Sequence, residues 1–111
     1  MTDELATLDL TRAEDGTLLL QLRGEVDLSN VEQVFARISR ATADAAQVVL
    51  DLTAIDYIDS QGLRLLNRLS RSLAERGSTF EVVAPSGSVA RGVLDLTRMS
   101  DELTLRDSPA S

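Results

Sequence analysis

The sequence contains no cysteine, no histidine, no tryptophan and no lysine, and its eleven basic residues are all arginine. Each absence removes some chemistry. Without cysteine there is no disulfide framework and no thiol redox centre. Without histidine, neither a Ser-His-Asp triad nor a His-ligated zinc site can be assembled. An enzyme made from this chain would have to work with carboxylates, hydroxyls and guanidiniums alone. No apolar stretch approaches the ~20 residues needed to cross a bilayer, and the acidic start "MTDELATLDL" does not read as a signal peptide. The expected location is therefore the cytoplasm. The formal charge of −7 argues against nucleic acid as a partner, since basic residues must neutralise its phosphates.

What is present suits one globular domain. The chain has 111 residues, 43% apolar and 26% charged, enough for a real core and too few for two domains. A single domain over 1–111 is expected, with its core at about 5–105, a frayed tail at 106–111, and a monomeric state. Leu5 to Arg12 alternates as a half-buried strand, "AEDGT" supplies a hairpin turn around Asp15-Gly16, and "TLLLQLRG" gives the second strand. Ser29 with Glu32 matches a capping box, and Val31, Val34, Phe35 and Ile38 then fall at helical spacing to about Thr42. "QVVLDLT" reads as a central strand. Leu65, Leu66, Leu69 and Leu73 form the apolar face of a second helix ended by Gly77, with Arg64, Arg68 and Arg71 as a solvated stripe on another face. "TFEVVAP" is a further strand, and "SGSVARGVLDLTRM" a third helix with Val89, Val93 and Leu96 inward. Leu103 and Leu105 form a last short apolar pair.

This order predicts an α/β fold. Its elements are a mixed sheet of four to five strands, an N-terminal β-hairpin and three or more helices. Right-handed crossovers make the later strands parallel, so their carboxyl ends share one rim. Three loops gather there: Glu25 to Asp27, Asp56 to Gly62, and Pro85 to Ser88. Functional groups of open α/β sheets sit on that rim.

Within "IDYIDSQGL" the residue of interest is Ser60. It reads either as a plain helix N-cap, a role also open to Asp59, or as an exposed phosphate acceptor. Gly62 has a plain reading too, as a close approach of the helix to a strand. A phosphate at a helix start is favoured by the macrodipole, so it would leave the isolated fold intact.

"GEVDLSN", "VVLDLTAIDYIDSQGLRLL" and "SVARGVLDLTRM", in this order and spacing, resemble the STAS domains of bacterial anti-sigma factor antagonists, from about Leu5 to Leu105. The resemblance implies partner switching. The unphosphorylated antagonist binds an anti-sigma factor that is also a serine kinase, freeing the sigma factor. Phosphorylation releases the complex, and a PP2C-type phosphatase resets the protein. It implies Ser60 as phosphoacceptor and Asp27 as the acid of the Gly-Glu-x-Asp loop. Asp59, Gly62 and Leu63 then shape the binding surface. Asp56, Gln61 and Arg64 complete the expected partner-binding set. ATP and magnesium belong to the kinase, so no cofactor, no metal, no membrane insertion and no enzymatic activity are expected of this chain.

Two departures from the family pattern stand out. Gln61 occupies the place of a second hydroxyl residue. The third helix carries an extra residue, with Arg98 in place of a glycine that would provide a left-handed exit. A competing reading is a constitutive STAS scaffold, such as the accessory subunit of a lipid-transport ABC ATPase or a component of a sensory complex. A third, an enzyme or nucleotide binder with Mg²⁺ among Asp27, Asp56 and Asp59, lacks a nucleophile–base pair.

Overall fold

The computed structural model of the chain describes residues 5–109. The hairpin strands are β1 (Ala6–Arg12) and β2 (Leu18–Val26), followed by α1 (Val31–Ala41), β3 (Gln47–Asp51) and β4 (Ile55–Ile58). Then come α2 (Ser60–Glu75), β5 (Thr79–Val83), α3 (Val89–Leu96), a 3₁₀ turn (Met99–Asp101) and β6 (Leu105–Arg106). The sheet order is β1-β2-β3-β5-β6, with β4 also paired to β2. β1 and β2 are antiparallel and every other pair is parallel, giving the mixed α/β sheet that the element order implies.

The sheet has six strands where four to five were expected. The additional strand inside "IDYI" follows from how β2 is used. Its first half pairs β3 through Leu18–Gln21, and its last residues Gly24–Val26 pair β4. The chain leaves β3, turns through Leu52–Ala54 with Ile55 N bonded to the Leu52 carbonyl at 3.1 Å, and resumes alongside the same strand. β4 thus extends the line of β3 and carries α2 past the end of the main sheet. Gly24 makes the required irregularity. Its φ is +97°, and any Cβ there would collide with the Leu5 carbonyl oxygen, so only glycine fits.

The core lies between the sheet and its three helices. Leu20, Leu50 and Val82 align across β2, β3 and β5 and are fully buried together with Ile38, Leu65, Leu66, Leu69 and Leu94. The leucine face of α2 is therefore core, as its spacing requires. In α3 the phase differs from expectation. Ala90 and Leu94 are buried and Val93 is half-buried, whereas Val89 is exposed and Leu96 is 86% exposed. Both faces of this short helix carry apolar residues at helical spacing, so periodicity alone could not choose between them. The tail departs from expectation as well. Leu105–Arg106 pairs with β5, Arg106 donates to the Pro109 carbonyl at 3.1 Å, and Asp107 lies 3.4 Å from Arg91. Residues 106–109 are thus tied down rather than frayed, and 110–111 lie outside the described residues.

Candidate functional site

The loop after β2 is knotted by its own side chains. Asn30, buried, accepts from the Asp27 N–H at 2.9 Å and donates to the Glu25 carbonyl at 2.8 Å. Asp27 Oδ1 accepts from both the N–H and the hydroxyl of Ser29, at 2.9 and 2.6 Å, a closed Asx turn. The Ser29 hydroxyl, and after it the Ser29 N–H, hold the Asp27 carboxyl below its usual range. The capping box expected from Ser29 and Glu32 does not form. Asn30 is the N-cap residue of α1 and makes no side-chain cap bond, because both ends of its amide serve the loop. Glu32 turns instead to Arg68, 3.0 Å away.

At the start of α2, Asp59 is the cap. Its Oδ1 accepts from Gln61 N–H at 2.9 Å and from Gly62 N–H at 3.1 Å. Its Oδ2 accepts from the Leu28 N–H at 3.3 Å, joining this helix to the β2–α1 loop. Ser60 follows as the first helical residue. It is exposed, and its hydroxyl makes no hydrogen bond among the described residues. Of the two cap candidates, Asp59 has the role and Ser60 is left unencumbered. Gly62 is buried, and a Cβ there would clash with Ile58 and come within 3.3 Å of Val26. Its smallness lets α2 close onto the ends of β4 and β2. Leu63 is half-buried against the core, while Asp56 and Arg64 are exposed.

Beside this junction, a groove of about 290 Å³ runs between the first turns of α1 and α2, lined by Val31, Glu32, Gln61, Arg64, Leu65 and Arg68. Arg68 is held by Glu32 and by the Phe35 ring, 3.9 Å below its guanidinium. The arginine stripe on α2 is thus not uniformly solvated. Two of the three expected loops meet here. The third is set back: Val83 aligns through Asp51 with Gln21, whereas Ile58 aligns with Val26. Five residue steps separate those levels, roughly 16 Å along the strand. "SGS" closes a turn, with Ser88 N–H bonded to the Pro85 carbonyl at 3.0 Å, and Ser88 caps α3 through Arg91 N–H.

Three features of the rim were not anticipated from the sequence. Asn30 organises the loop, and Leu28 and Tyr57 are exposed apolar side chains, at 73% and 50%, the first bonded through its N–H to Asp59 and the second on β4 just before it. The signal for Asn30 was a side-chain amide three residues after Asp27. Leu28 could have been noticed as a leucine inside a polar turn. Among the described residues, no three carboxylates converge to hold a metal ion, and Asp27 and Asp59 are committed to N–H and hydroxyl donors.

The comparisons with known proteins bear on this arrangement. BtrV, a candidate anti-sigma factor antagonist of Bordetella bronchiseptica, is 40% identical over 63 residues, covering 55% of this chain and 53% of that protein. The anti-sigma-F factor antagonist RsfB of Mycobacterium tuberculosis is 32% identical over 83 residues, covering 74% and 66%. The chain thus spans about half to two thirds of these relatives. An anti-sigma factor antagonist from Mycobacterium paratuberculosis superposes with a TM-score of 0.81 at 24% identity, over 95% of this chain and 88% of the other. The phosphorylated form of the Bacillus cell fate determinant SpoIIAA does so with a TM-score of 0.65 at 22% identity, over 92% and 93%. These likenesses show the fold. The STAS domain family matches residues 10–111, and this chain belongs to it.

Proposed function

We propose that this protein is an anti-sigma factor antagonist controlled at Ser60. In this reading the unphosphorylated chain binds an anti-sigma factor that is also a serine kinase, and a sigma factor is released. Transfer of the ATP γ-phosphoryl group to the Ser60 hydroxyl breaks the complex, and a PP2C-type phosphatase hydrolyses the phosphoserine to restore binding. The chain acts by docking, and the catalytic machinery belongs to its partners.

One observation carries the reading. The hydroxyl of Ser60 is exposed and unbonded while Asp59 alone caps the helix. Modifying Ser60 therefore costs the fold no capping bond. A phosphate there sits at the positive end of α2, worth up to about 1 kcal/mol to the free protein. For a docked partner the balance reverses. The phosphate adds about −1.5 to −2 charges next to Asp59 and the β2–α1 loop that Asp59 anchors. Like charges juxtaposed in an interface cost several kcal/mol, and ~3–4 kcal/mol lowers affinity a few hundred-fold or more. The exposed Leu28 and Tyr57 supply apolar area of the kind that anchors an interface. The names of the relatives, antagonists of anti-sigma factors, point the same way.

The test is incubation with the cognate kinase and ATP, followed by peptide mass spectrometry and by affinity measurement on variants. Phosphate on Ser60, retained binding by Ser60→Ala and lost binding by Ser60→Asp are expected. Binding of Ser60→Asp at wild-type affinity, or phosphate confined to other residues, would overturn the switch and leave a constitutive scaffold.

A further inference from the structure

Arg64 stands one turn after Ser60 on α2. Residues four apart on a helix are surface neighbours, and helical side chains lean towards the N-terminus, so a guanidinium at 64 is directed over position 60. It is exposed and has no ion-pair or hydrogen-bond partner among the described residues. The next arginine along the helix, Arg68, is by contrast held between Glu32 and Phe35.

The acids that would compete for Arg64 are mostly engaged. Glu32, across the groove, is taken by Arg68. Asp27 is closed on Ser29, and Asp59 on three N–H groups. On β5, Glu81 pairs with Arg106. Asp56 and Glu25 remain exposed at the strand ends. In the unmodified chain Arg64 therefore lines the α1–α2 groove as a free cation.

Resting on the phosphorylation reading above, we infer that Arg64 is the intramolecular partner of a phosphate on Ser60, so that modification both adds negative charge to the docking rim and withdraws its free cation from the groove. The order of charges, anion first and cation four residues later, is the favourable one on a helix. A guanidinium also matches phosphate oxygens with two parallel N–H donors. A partner that reaches Arg64 through an acidic side chain loses that contact at the moment it meets the phosphate. Ejection is then the sum of a repulsion gained and an attraction removed.

The test is a ³¹P NMR pH titration of the Ser60-phosphorylated chain, as wild type and as Arg64→Gln. A paired phosphate holds its second proton less tightly. The wild-type midpoint should lie lower by ~0.3 unit, about a twofold change, as expected for a helical i,i+4 pair, and the difference should fade in 1 M salt. Superimposable curves at low salt would overturn the inference. Chemical phosphorylation is not required, because Ser60→Glu introduces an anion at the same place. A double-variant cycle with Arg64→Gln should then give a coupling of about twofold in the unfolding constant. A kinase that leaves Ser60 untouched, while that cycle shows coupling, would reject the proposed function but keep the pair. Absence of coupling would reject the pair whatever the kinase does.

Discussion

Asp59 Oδ2 lies 3.3 Å from the backbone nitrogen of Leu28, so the carboxylate that caps α2 also anchors the β2–α1 loop. One side chain thereby fixes the relative position of the two loops flanking Ser60. Asp59→Ala removes the cap and should lower stability by ~1–2 kcal/mol, read as a fall in urea midpoint at unchanged slope. Amide exchange at Leu28, Gln61 and Gly62 should accelerate together. Asparagine is as good a cap as aspartate, so Asp59→Asn should keep protection at Gln61 and Gly62 but not at Leu28, because its amide nitrogen cannot accept the Leu28 N–H. Unchanged protection at Leu28 in Asp59→Ala would mean the loop holds itself without α2.

Gly62 offers a sharper test of how closely α2 seats. An added methyl would meet the Ile58 side chain before anything else, with Val26 next. Gly62→Ala should therefore cost about 1–3 kcal/mol through overpacking, although alanine is the better helix former. Combining it with Ile58→Ala, which removes the Cγ1 and Cδ1 atoms in conflict, should cost less than the sum of the two single changes. Strict additivity of the two changes, measured by denaturation, would place the conflict elsewhere.

How far this arrangement was legible in the sequence depends on the range of the forces involved. The leucine face of α2, the cap at Asp59 or Ser60 and the Asp15-Gly16 hairpin turn rest on contacts within a few residues, and local pattern captures such contacts. Asp15 indeed accepts the Thr17 N–H at 2.9 Å inside the turn. β4 was invisible for a different reason. Of its four residues only Ile55 and Ile58 are buried, so it shows no period of two, and its existence depends on the free length of β2. Asn30 went unread and Arg68 was misread because their partners, the Glu25 carbonyl and the Phe35 ring, are set by the folded loop and by helix packing.

Arg98 shows the sequence and the backbone in direct conflict. It follows the C-terminus of α3 with φ of 65° and ψ of 14°, the only non-glycine residue with positive φ among the described residues. A glycine would adopt this left-handed exit freely, whereas a side chain pays about 1–2 kcal/mol. The residue is exposed, so its side chain brings little packing in return. Arg98→Gly should stabilise the protein, by less than that strain because glycine also loosens the unfolded chain. A thermal midpoint raised by a few degrees is expected. A lowered midpoint would show that the arginine makes up for its conformation by some other contact.

The acid limb of stability should report on the β2–α1 loop. Asp15, Asp27 and Asp95 are each held below the ordinary value of 3.8. The largest causes are the Thr17 N–H, the Ser29 hydroxyl and the Ser100 hydroxyl respectively. For a carboxyl with a depressed folded-state value, the unfolded chain binds the proton first as pH falls. Its contribution to stability is therefore complete above the unfolded value and drains away as pH drops below about 4 through the folded one. Stability should accordingly be flat from pH 7 to 5 as far as these groups are concerned, and should decline below 4. Ser29→Ala deletes the first cause at Asp27 and should raise the titration midpoint of that carboxyl, followed by ¹³C NMR. Asp15 is served by Thr17 on the far side of the hairpin, so it should not move and acts as an internal control. An Asp27 midpoint that stays put in Ser29→Ala would assign its depression to the loop backbone instead, and the hydroxyl would have no part in holding the acid next to Ser60's rim.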